Sequence, residues 1–257
     1  MKRVVTALLL LPAVVYVVLW ANFWVFAAVV VVVAFLCYRE YDSIAAAYGF
    51  GAPGPVGYAA GLLLLFAGEL NLPWLLIVLV ALMALSLAMR VEDLAKSLPR
   101  ASLLAMGIAY VFGAWKCAFT LRDASPHWLM YALLVNWSGD IGAYYVGRAF
   151  GKHPLAPRVS PKKTWEGAAG SVLASVLIAG GYLLRFLSPV GVVTVLGLTI
   201  AANVAGQVGD LAESAMKRGA GVKDSGTILP GHGGFLDRVD STLFALPVIY
   251  AYVLLFK

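Results

Sequence analysis

Residues 189–216 read PVGVVTVLGLTIAANVAGQVGDLAESAM, an apolar run that gains polar side chains along one face. The run is long enough to cross a bilayer, which takes about 20 residues of helix. Polar residues recur at spacings of 4, 3, 4 and 3, at Asn203, Gln207, Asp210, Ser214 and, beyond the run, Lys217. This spacing places them on one side of a helix. Because polar side chains in a membrane are costly, the stretch predicts a spanning helix with a functional face.

The whole chain has the composition of a membrane protein. Of its 257 residues, 62% are hydrophobic and 12% are charged, whereas soluble domains carry about half apolar and a quarter charged residues. Apolar stretches recur at nine places, near 4–20, 23–38, 55–68, 72–89, 101–121, 127–147, 167–186, 189–216 and 241–256. We therefore expect an all-α, polytopic integral membrane protein with about nine transmembrane helices. Of the nine, the stretch 55–68 gives the weakest signal, because it is short and rich in glycine.

The basic residues predict how these helices are oriented. With a cytoplasmic N-terminus and nine alternating spans, fifteen Lys and Arg residues lie on the cytoplasmic side and only Arg122, Arg185 and Lys257 on the other. This bias agrees with the positive-inside rule. It explains the net charge of +6 by topology, so we expect no nucleic-acid partner. It also places two polar loops, 148–166 and 217–240, in the cytoplasm.

The two loops divide the chain into parts with different expected roles. Residues 1–100 contain apolar helices and no long polar loop, and we expect them to form a scaffold. Residues 101–257 contain both loops and both helices with polar faces, and we expect them to form the catalytic region.

The stretch 127–147 carries a second polar stripe. Asn136, Asp140, Tyr144 and Arg148 recur every four residues and so share one helix face. Such a stripe can hold helices together by hydrogen bonds, and Asn136 and Tyr144 could do only that. A carboxylate in a membrane needs a partner or water. We therefore expect Asp140 to line a functional cavity.

The first loop, 148–166, is basic and precedes a helix that we expect to start near Trp165. It contains Ser160-Pro161-Lys162-Lys163-Thr164, and threonine is a favoured N-cap residue. Helix N-termini and lysines attract phosphate. A basic loop that only obeys the positive-inside rule is the alternative, and charge alone does not decide between them. The loop is not a P-loop, because the spacing Gly-x4-Gly-Lys-Ser/Thr is absent.

The second loop, 217–240, is dense in charge and glycine. Asp237 and Asp240 lie three residues apart at the start of the last helix and can face one way. With Asp210 they would make an all-oxygen site suited to Mg²⁺. Basic side chains that could hold phosphates accompany them: Lys217, Arg218, Lys223 and Arg238. A loop whose charges merely pair with one another would leave this density beside a polar helix face unexplained.

The segment from Ser214 to Asp240 resembles a known family, the phosphatidate cytidylyltransferases, also called CDP-diacylglycerol synthases. The family pattern is Ser-x-apolar-Lys-Arg-x4-Lys-Asp-x-small-x2-apolar-Pro-x-His-Gly-Gly-apolar-x-Asp-Arg-apolar-Asp. The chain matches every fixed position, namely Ser214, Lys217, Arg218, Lys223, Asp224, Pro230, His232, Gly233, Gly234, Asp237, Arg238 and Asp240. The loop from Ser160 to Gly167 is similar to the family as well. The resemblance is specific over about 136–241.

This resemblance implies CTP and phosphatidic acid as substrates, CDP-diacylglycerol and pyrophosphate as products, and Mg²⁺ as cofactor. It also implies a homodimer in the inner membrane of a bacterium. The expected catalytic residues are Ser214, Lys217, Arg218, Lys223, Asp224 and His232, the last as a phosphate ligand or as a hydrogen-bonding residue that orders the loop. The expected substrate-binding residues are Asn136, Asp140, Ser160, Lys162, Lys163, Thr164, Glu166 and Arg238. The expected metal ligands are Asp210, Asp237 and Asp240.

Other function classes account for the sequence less well. A transporter or channel also places charges in spans, but it predicts related halves and charges at mid-membrane. We see no related halves, and the charges cluster towards one side. A CDP-alcohol phosphatidyltransferase would resemble Asp-Gly-x2-Ala-Arg-x8-Gly-x3-Asp-x3-Asp, which is missing here. A scaffold without chemistry leaves the second loop unexplained.

Overall fold

The fold is a bundle of helices joined by loops and one short hairpin. The computed structural model describes residues 2–51, 54–67, 73–187, 190–228 and 233–256. In chain order the helices are α1 (Lys2–Leu19), α2 (Phe23–Ala45), α3 (Pro55–Phe66), α4 (Pro73–Ala88), α5 (Leu94–Ala124), α6 (Pro126–Phe150), α7 (Trp165–Phe186), α8 (Val192–Gly219) and α9 (Leu236–Phe256). A π-helical turn extends α2 over Ala46–Phe50. Each of the nine predicted apolar stretches overlaps one of these helices.

Five helices of the described residues are long and apolar enough to cross a membrane, by length and composition. These are α2 with its π turn, α5, α7, α8 and α9, while α1, α3 and α4 contribute shorter apolar stretches. Helix α6 has 25 residues, but its polar stripe lowers its hydropathy and leaves it outside this set. The chain is therefore a multi-pass membrane protein, and the count of nine transmembrane helices stays a prediction.

The all-α prediction needs one correction, in the loop 148–166. Strands β1 (Pro154–Ala156) and β2 (Ser160–Thr164) pair as an antiparallel hairpin. Strands this short, with proline and lysine among their few residues, show no alternation of apolar and polar side chains that would reveal them. Helix α7 follows the hairpin directly. Thr164 is its N-cap, as predicted, and accepts a hydrogen bond from the Gly167 amide (3.1 Å).

Two basic side chains of α5 cap the C-terminal ends of other helices. The Lys116 ammonium donates to the carbonyls of Leu65 (3.2 Å) and Ala67 at the end of α3. The Arg122 guanidinium donates to Val18 (3.0 Å) and Ala21 at the end of α1. The last carbonyls of a helix have no partner within it, and a cation there also opposes the helix dipole. Both side chains therefore support the fold.

Small residues bring α6 and α7 close together. A Cβ atom at Gly142 of α6 would overlap the Gly170 carbonyl of α7, and a Cβ at Gly170 would overlap Val146. Such close approach is typical of helices that pack in membranes. The main apolar core takes buried residues from both sides of residue 100. The division into a scaffold and a catalytic region stays a prediction.

Candidate active site

A cavity of about 480 Å³ lies between α6, the hairpin, α7, α8 and the first turns of α9. Both polar helix faces and the basic hairpin contribute to its wall. Its polar lining residues are Asn136, Asp140, Tyr144, Arg148, Ser160, Lys162, Lys163, Thr164, Ser171, Asn203, Gln207, Asp210 and Ser241. The structure therefore brings together six of the eight residues predicted to bind substrate and one of the three predicted to bind metal.

The stripe on α6 faces this cavity along its whole length. At one end, Arg148 donates to the Tyr144 hydroxyl (3.0 Å), so the two side chains form a polar edge. At the other end, Asn136 is buried and donates to the Ala132 carbonyl (3.0 Å) and the Thr242 hydroxyl (3.4 Å). Asp140 lies between these two ends and lines the cavity. Asn136 and Asp140 therefore line one cavity, and their role in binding substrate stays a prediction.

The stripe on α8 divides into two parts with different neighbours. Asn203, Gln207 and Asp210 line the cavity, and Gln207 donates to the Asn203 side chain (2.7 Å). Asp210 forms an ion pair with Lys163 of the hairpin. Lys217, two turns further on, lies outside the cavity lining. The first part of the stripe therefore belongs to the cavity and is tied to the hairpin.

Lys217 is the centre of a second polar cluster, at the end of α8. Its ammonium pairs with Glu213 on the same helix and with Asp237 at the start of α9. The Glu213 side chain is fully buried. Asp237 also accepts hydrogen bonds from the amides of Ser225 (3.0 Å) and Gly234 (2.8 Å). Asp237 therefore holds two backbone positions of the loop 217–240, Ser225 and Gly234, close to Lys217.

The three carboxylates predicted to bind Mg²⁺ have different surroundings. Asp210 faces the cavity and Asp237 faces Lys217, while Asp240 is only 7% exposed and accepts from the Ser241 amide (2.7 Å). Over the described ranges, no three Asp, Glu, His or Cys side chains form a group that could hold a metal ion. The Mg²⁺ site stays a prediction. Asp210 and Asp140 are carboxylates that line one cavity and so could meet a metal bound to a nucleotide.

The other predicted site residues lie outside the cavity lining. Glu166 accepts from the amides of Lys152 (3.1 Å) and His153 (3.3 Å), and so fastens the start of the hairpin. Ser214 is half-buried on α8. Four residues of the second loop and α9 are exposed: Arg218, Lys223, Asp224 and Arg238. His232 lies outside the described residues.

Sequence reasoning missed Glu40 on α2, which contacts the second loop. Its side chain is 3% exposed, and its carboxylate accepts from the Ser225 hydroxyl (2.7 Å) and the amides of Phe235 (3.0 Å) and Leu236 (2.8 Å). A charged residue at the end of an apolar run was the available signal. The identity of its partners was not readable, because they lie 185 or more residues away.

Comparison with known proteins identifies the family. The sequence model of the cytidylyltransferase family matches residues 1–256, which is almost the whole chain. The chain belongs to this cytidylyltransferase family. The family prediction made from the segment between Ser214 and Asp240 is thereby confirmed.

Three similar proteins, each named phosphatidate cytidylyltransferase, come from bacteria. The phosphatidate cytidylyltransferase of Staphylococcus aureus (strain COL) is 39% identical over 202 residues, which are 77% of each chain. That of Bacillus subtilis (strain 168) is 48% identical over 130 residues, 51% of this chain and 48% of its own. That of Staphylococcus haemolyticus (strain JCSC1435) is 44% identical over 144 residues, 56% and 55% of the two chains.

Proposed function

We propose that this chain transfers a cytidylyl group from CTP to phosphatidic acid and releases CDP-diacylglycerol and pyrophosphate, for phospholipid biosynthesis. Relatives named phosphatidate cytidylyltransferase, 39% to 48% identical, support this reaction. The observation that carries the proposal is the cavity of about 480 Å³, which joins carboxylates and lysines within a membrane-spanning bundle. Such a site lets a soluble nucleotide and a lipid headgroup meet.

The cavity is the proposed binding site for CTP. Lys162 and Lys163 bring positive charge to its wall, and the hydroxyls of Ser160 and Thr164 lie beside them. Thr164 also starts α7, and the amides at a helix N-terminus favour phosphate. Asn136 and the other amide side chains of the wall would hold neutral parts of the nucleotide by hydrogen bonds.

Transfer requires positioning and charge neutralisation more than a covalent protein intermediate. An oxygen of the lipid phosphate attacks the α-phosphorus of CTP and forms a new phosphorus–oxygen bond. The bond from the α-phosphorus to the oxygen bridging to the β-phosphorus breaks, and pyrophosphate leaves with that oxygen. Lys217, Arg218 and Lys223 would hold the lipid phosphate and the leaving group. The attacking phosphate is already ionised near neutral pH, so no general base is required.

The carboxylates of the cavity fit Mg²⁺ in part. Mg²⁺ prefers oxygen ligands and in nucleotide sites uses one or two carboxylates together with substrate phosphates, and Asp210 and Asp140 could supply these. Bound there, the ion would neutralise charge on the nucleotide phosphates. Asp237 would have to leave Lys217 before it could join them. Asp240, buried at the start of α9, is proposed to support the site or to bind a second metal ion.

The proposed reaction also implies a location and an assembly. The bacterial relatives and the excess of basic residues in the loops support a location in the inner membrane, with the N-terminus and both loops in the cytoplasm.

The proposed assembly is a homodimer, as the resemblance implies. Chemical crosslinking of the purified protein at several detergent concentrations tests this, and a monomer at all of them would overturn it.

One experiment tests the reaction. The purified chain is incubated with CTP radiolabelled in its α-phosphate, with and without phosphatidic acid and Mg²⁺, and the products are extracted into organic solvent. We expect a labelled lipid only when both additions are present. Label that enters lipid without phosphatidic acid, or none under any condition, would overturn the proposal.

A further inference from the structure

Helix α2 lies in the part of the chain expected to form only a scaffold, yet it contacts both ends of the loop 217–240. At the C-terminal end of α8, Tyr48 donates from its hydroxyl to the Met216 carbonyl (2.9 Å). At the N-terminal end of α9, Glu40 accepts from the amides of Phe235 and Leu236. The two ends of the loop are thus tied to one helix, over sequence separations of 168 to 196 residues.

Glu40 is connected to Lys217 by a continuous set of hydrogen bonds. The Ser225 hydroxyl donates to Glu40 (2.7 Å) and accepts from the Asp237 amide (3.3 Å). The Ser225 amide donates to the Asp237 carboxylate (3.0 Å), which pairs with Lys217. Glu40, Ser225 and Lys217 are buried, and Asp237 is half-buried. Displacing the Glu40 carboxylate would therefore shift Ser225 and Asp237, and with them the ammonium of Lys217.

Two glycines of the loop, Gly226 and Gly234, lie against the side chain of Glu40. A Cβ atom at Gly234 would collide with the Glu40 carboxylate and the Ser225 hydroxyl, and one at Gly226 would collide with the same carboxylate. The lack of a side chain at both positions lets the backbone approach the Glu40 carboxylate closely. At Gly234, a fixed position of the motif, one of the two side chains in this close approach therefore comes from Glu40, far outside the motif.

We infer that Glu40 is a positioning residue for the transfer reaction, which holds Lys217 in its working place through Ser225 and Asp237. The inference rests on the proposed function. Glutamate suits this role because both of its carboxylate oxygens accept hydrogen bonds, and all three donors here point at it. Glutamine would replace one oxygen by an amide group that is itself a donor, so one of the three contacts would become a clash of donors.

The test compares turnover by Glu40→Gln and by a matched control in the full chain, in micelles of phosphatidic acid with CTP and Mg²⁺. We expect Glu40→Gln to lower kcat about 100-fold, as small misplacements of catalytic groups do. KM for CTP should change much less than kcat, because most of the contacts proposed for CTP lie in the cavity. The control is Asp42→Asn, the same chemical change on the same helix, at a carboxylate that accepts from the Gly54 amide (2.9 Å) and not from the loop. It should keep wild-type kcat.

A double variant separates positioning from a general loss of structure. Ser225→Ala alone should lower kcat about tenfold, because it removes one charge-assisted hydrogen bond. Combined with Glu40→Gln, it should add little, since both changes break the same connection. Losses that multiply, a KM for CTP that rises as many-fold as kcat falls, or a Glu40→Gln protein with wild-type kcat would each overturn the inference. If Glu40→Gln does not fold, wild-type kcat in Ser225→Ala overturns it instead.

A second readout does not depend on turnover. Trypsin cleaves after exposed basic residues such as Lys223, and cleavage needs the loop to open locally. We expect faster cleavage at this position in Glu40→Gln than in Asp42→Asn, with the helices intact in both. Equal rates would overturn the inference. A wild-type protein that makes no CDP-diacylglycerol but shows this difference in cleavage would count against the proposed function alone.

Discussion

The ion pair between Lys163 and Asp210 balances the charge of the cavity. It joins the hairpin to α8, and both partners are about one-third exposed. The cavity also contains Asp140, so without Lys163 two carboxylates would face each other with less positive charge nearby. A phosphate brought into the cavity would then meet more repulsion. Lys163 therefore offsets the negative charge of the two aspartates and would also attract the phosphates of a bound nucleotide.

Replacing Lys163 should weaken CTP binding. We expect Lys163→Ala to raise KM for CTP about tenfold, equivalent to roughly 1.4 kcal/mol, which is close to the lower limit for a hydrogen bond to a charged group. Steady-state kinetics at saturating phosphatidic acid measures this. The control is Lys152→Ala, an exposed lysine of the same loop that does not line the cavity. Equal KM values for the two variants would contradict the expected role.

The aspartates should differ in their response to Mg²⁺. Because Asp210 faces the cavity and Asp237 pairs with Lys217, Asp210→Asn should raise the Mg²⁺ concentration for half-maximal turnover by about 10- to 100-fold. Asp237→Asn should lower kcat with a smaller change in this concentration. Magnesium titrations of both variants, each checked for folding in detergent, give the comparison. A larger shift in Asp237→Asn would favour Asp237 as the metal ligand.

Single side chains were predictable where helix spacing alone determines which face they share. The four-residue repeat from Asn136 to Arg148 placed all its members on the cavity wall. Glu40 was not predictable, because no local pattern connects it to Ser225 or Leu236. The distribution of Asp210, Asp237 and Asp240 was not predictable either. Their spacing fixes the face of each helix but not the partner that each carboxylate meets: Lys163 for Asp210, Lys217 for Asp237 and the Ser241 amide for Asp240.

At the scale of elements, the close contact between α6 and α7 positions the hairpin over the cavity. The contact depends on glycine where the two helices meet, at Gly142 and Gly170. The buried side chain of Asn203 also donates to Ser171 (3.0 Å) and Ser175 (2.9 Å), and so ties α8 to α7. Widening the α6–α7 contact would therefore move both walls of the site.

Enlarging Gly142 should destabilise the protein. We expect Gly142→Ala to cost about 1–3 kcal/mol, the usual effect of overpacking a tight contact, and to lower the thermal midpoint of unfolding in detergent. Gly197→Ala on α8 is the matched control, because a Cβ there meets nothing within 4 Å. It should leave the midpoint unchanged or slightly raised, since alanine favours helix. A midpoint for Gly142→Ala equal to that of the control would contradict the packing argument.

Helices were predictable from composition, and the hairpin was not. Long apolar runs located every helix, because a bilayer requires the backbone to satisfy its own hydrogen bonds. The hairpin lies in a polar loop, where no burial pattern distinguishes strand from coil. The predicted N-cap at Thr164 was correct, since capping depends on one side chain and its nearest amides.

At the scale of the whole molecule, the 25 residues of α6 separate two exposed positions. Asp123 precedes this helix and Lys152 follows it, and both are exposed. If α6 spans the membrane as predicted, these positions face different compartments. The positive-inside bias assigns Lys152 and the hairpin to the cytoplasm.

Cysteine labelling tests this orientation. In a background with Cys37→Ala and Cys117→Ala, we expect Asp123→Cys to react with a membrane-impermeant thiol reagent in intact spheroplasts. Lys152→Cys should react only after the membrane is permeabilised. The permeabilised sample also controls for expression and reactivity. The reverse pattern would overturn the proposed cytoplasmic site, and labelling of both positions from outside would overturn the spanning of α6.

The contacts of Glu40 also have a consequence for biosynthesis. Ribosomes add about 5–20 residues per second, so roughly 10–40 s separate the synthesis of Glu40 from that of Ser225, 185 residues later. During that interval the carboxylate lacks the three donors that satisfy it in the finished protein. A charged group without partners is costly in lipid, so we expect this end of α2 to stay near the aqueous surface of the membrane until α9 is inserted. Insertion of α9 thus brings Glu40 its partners and ties the second loop to α2.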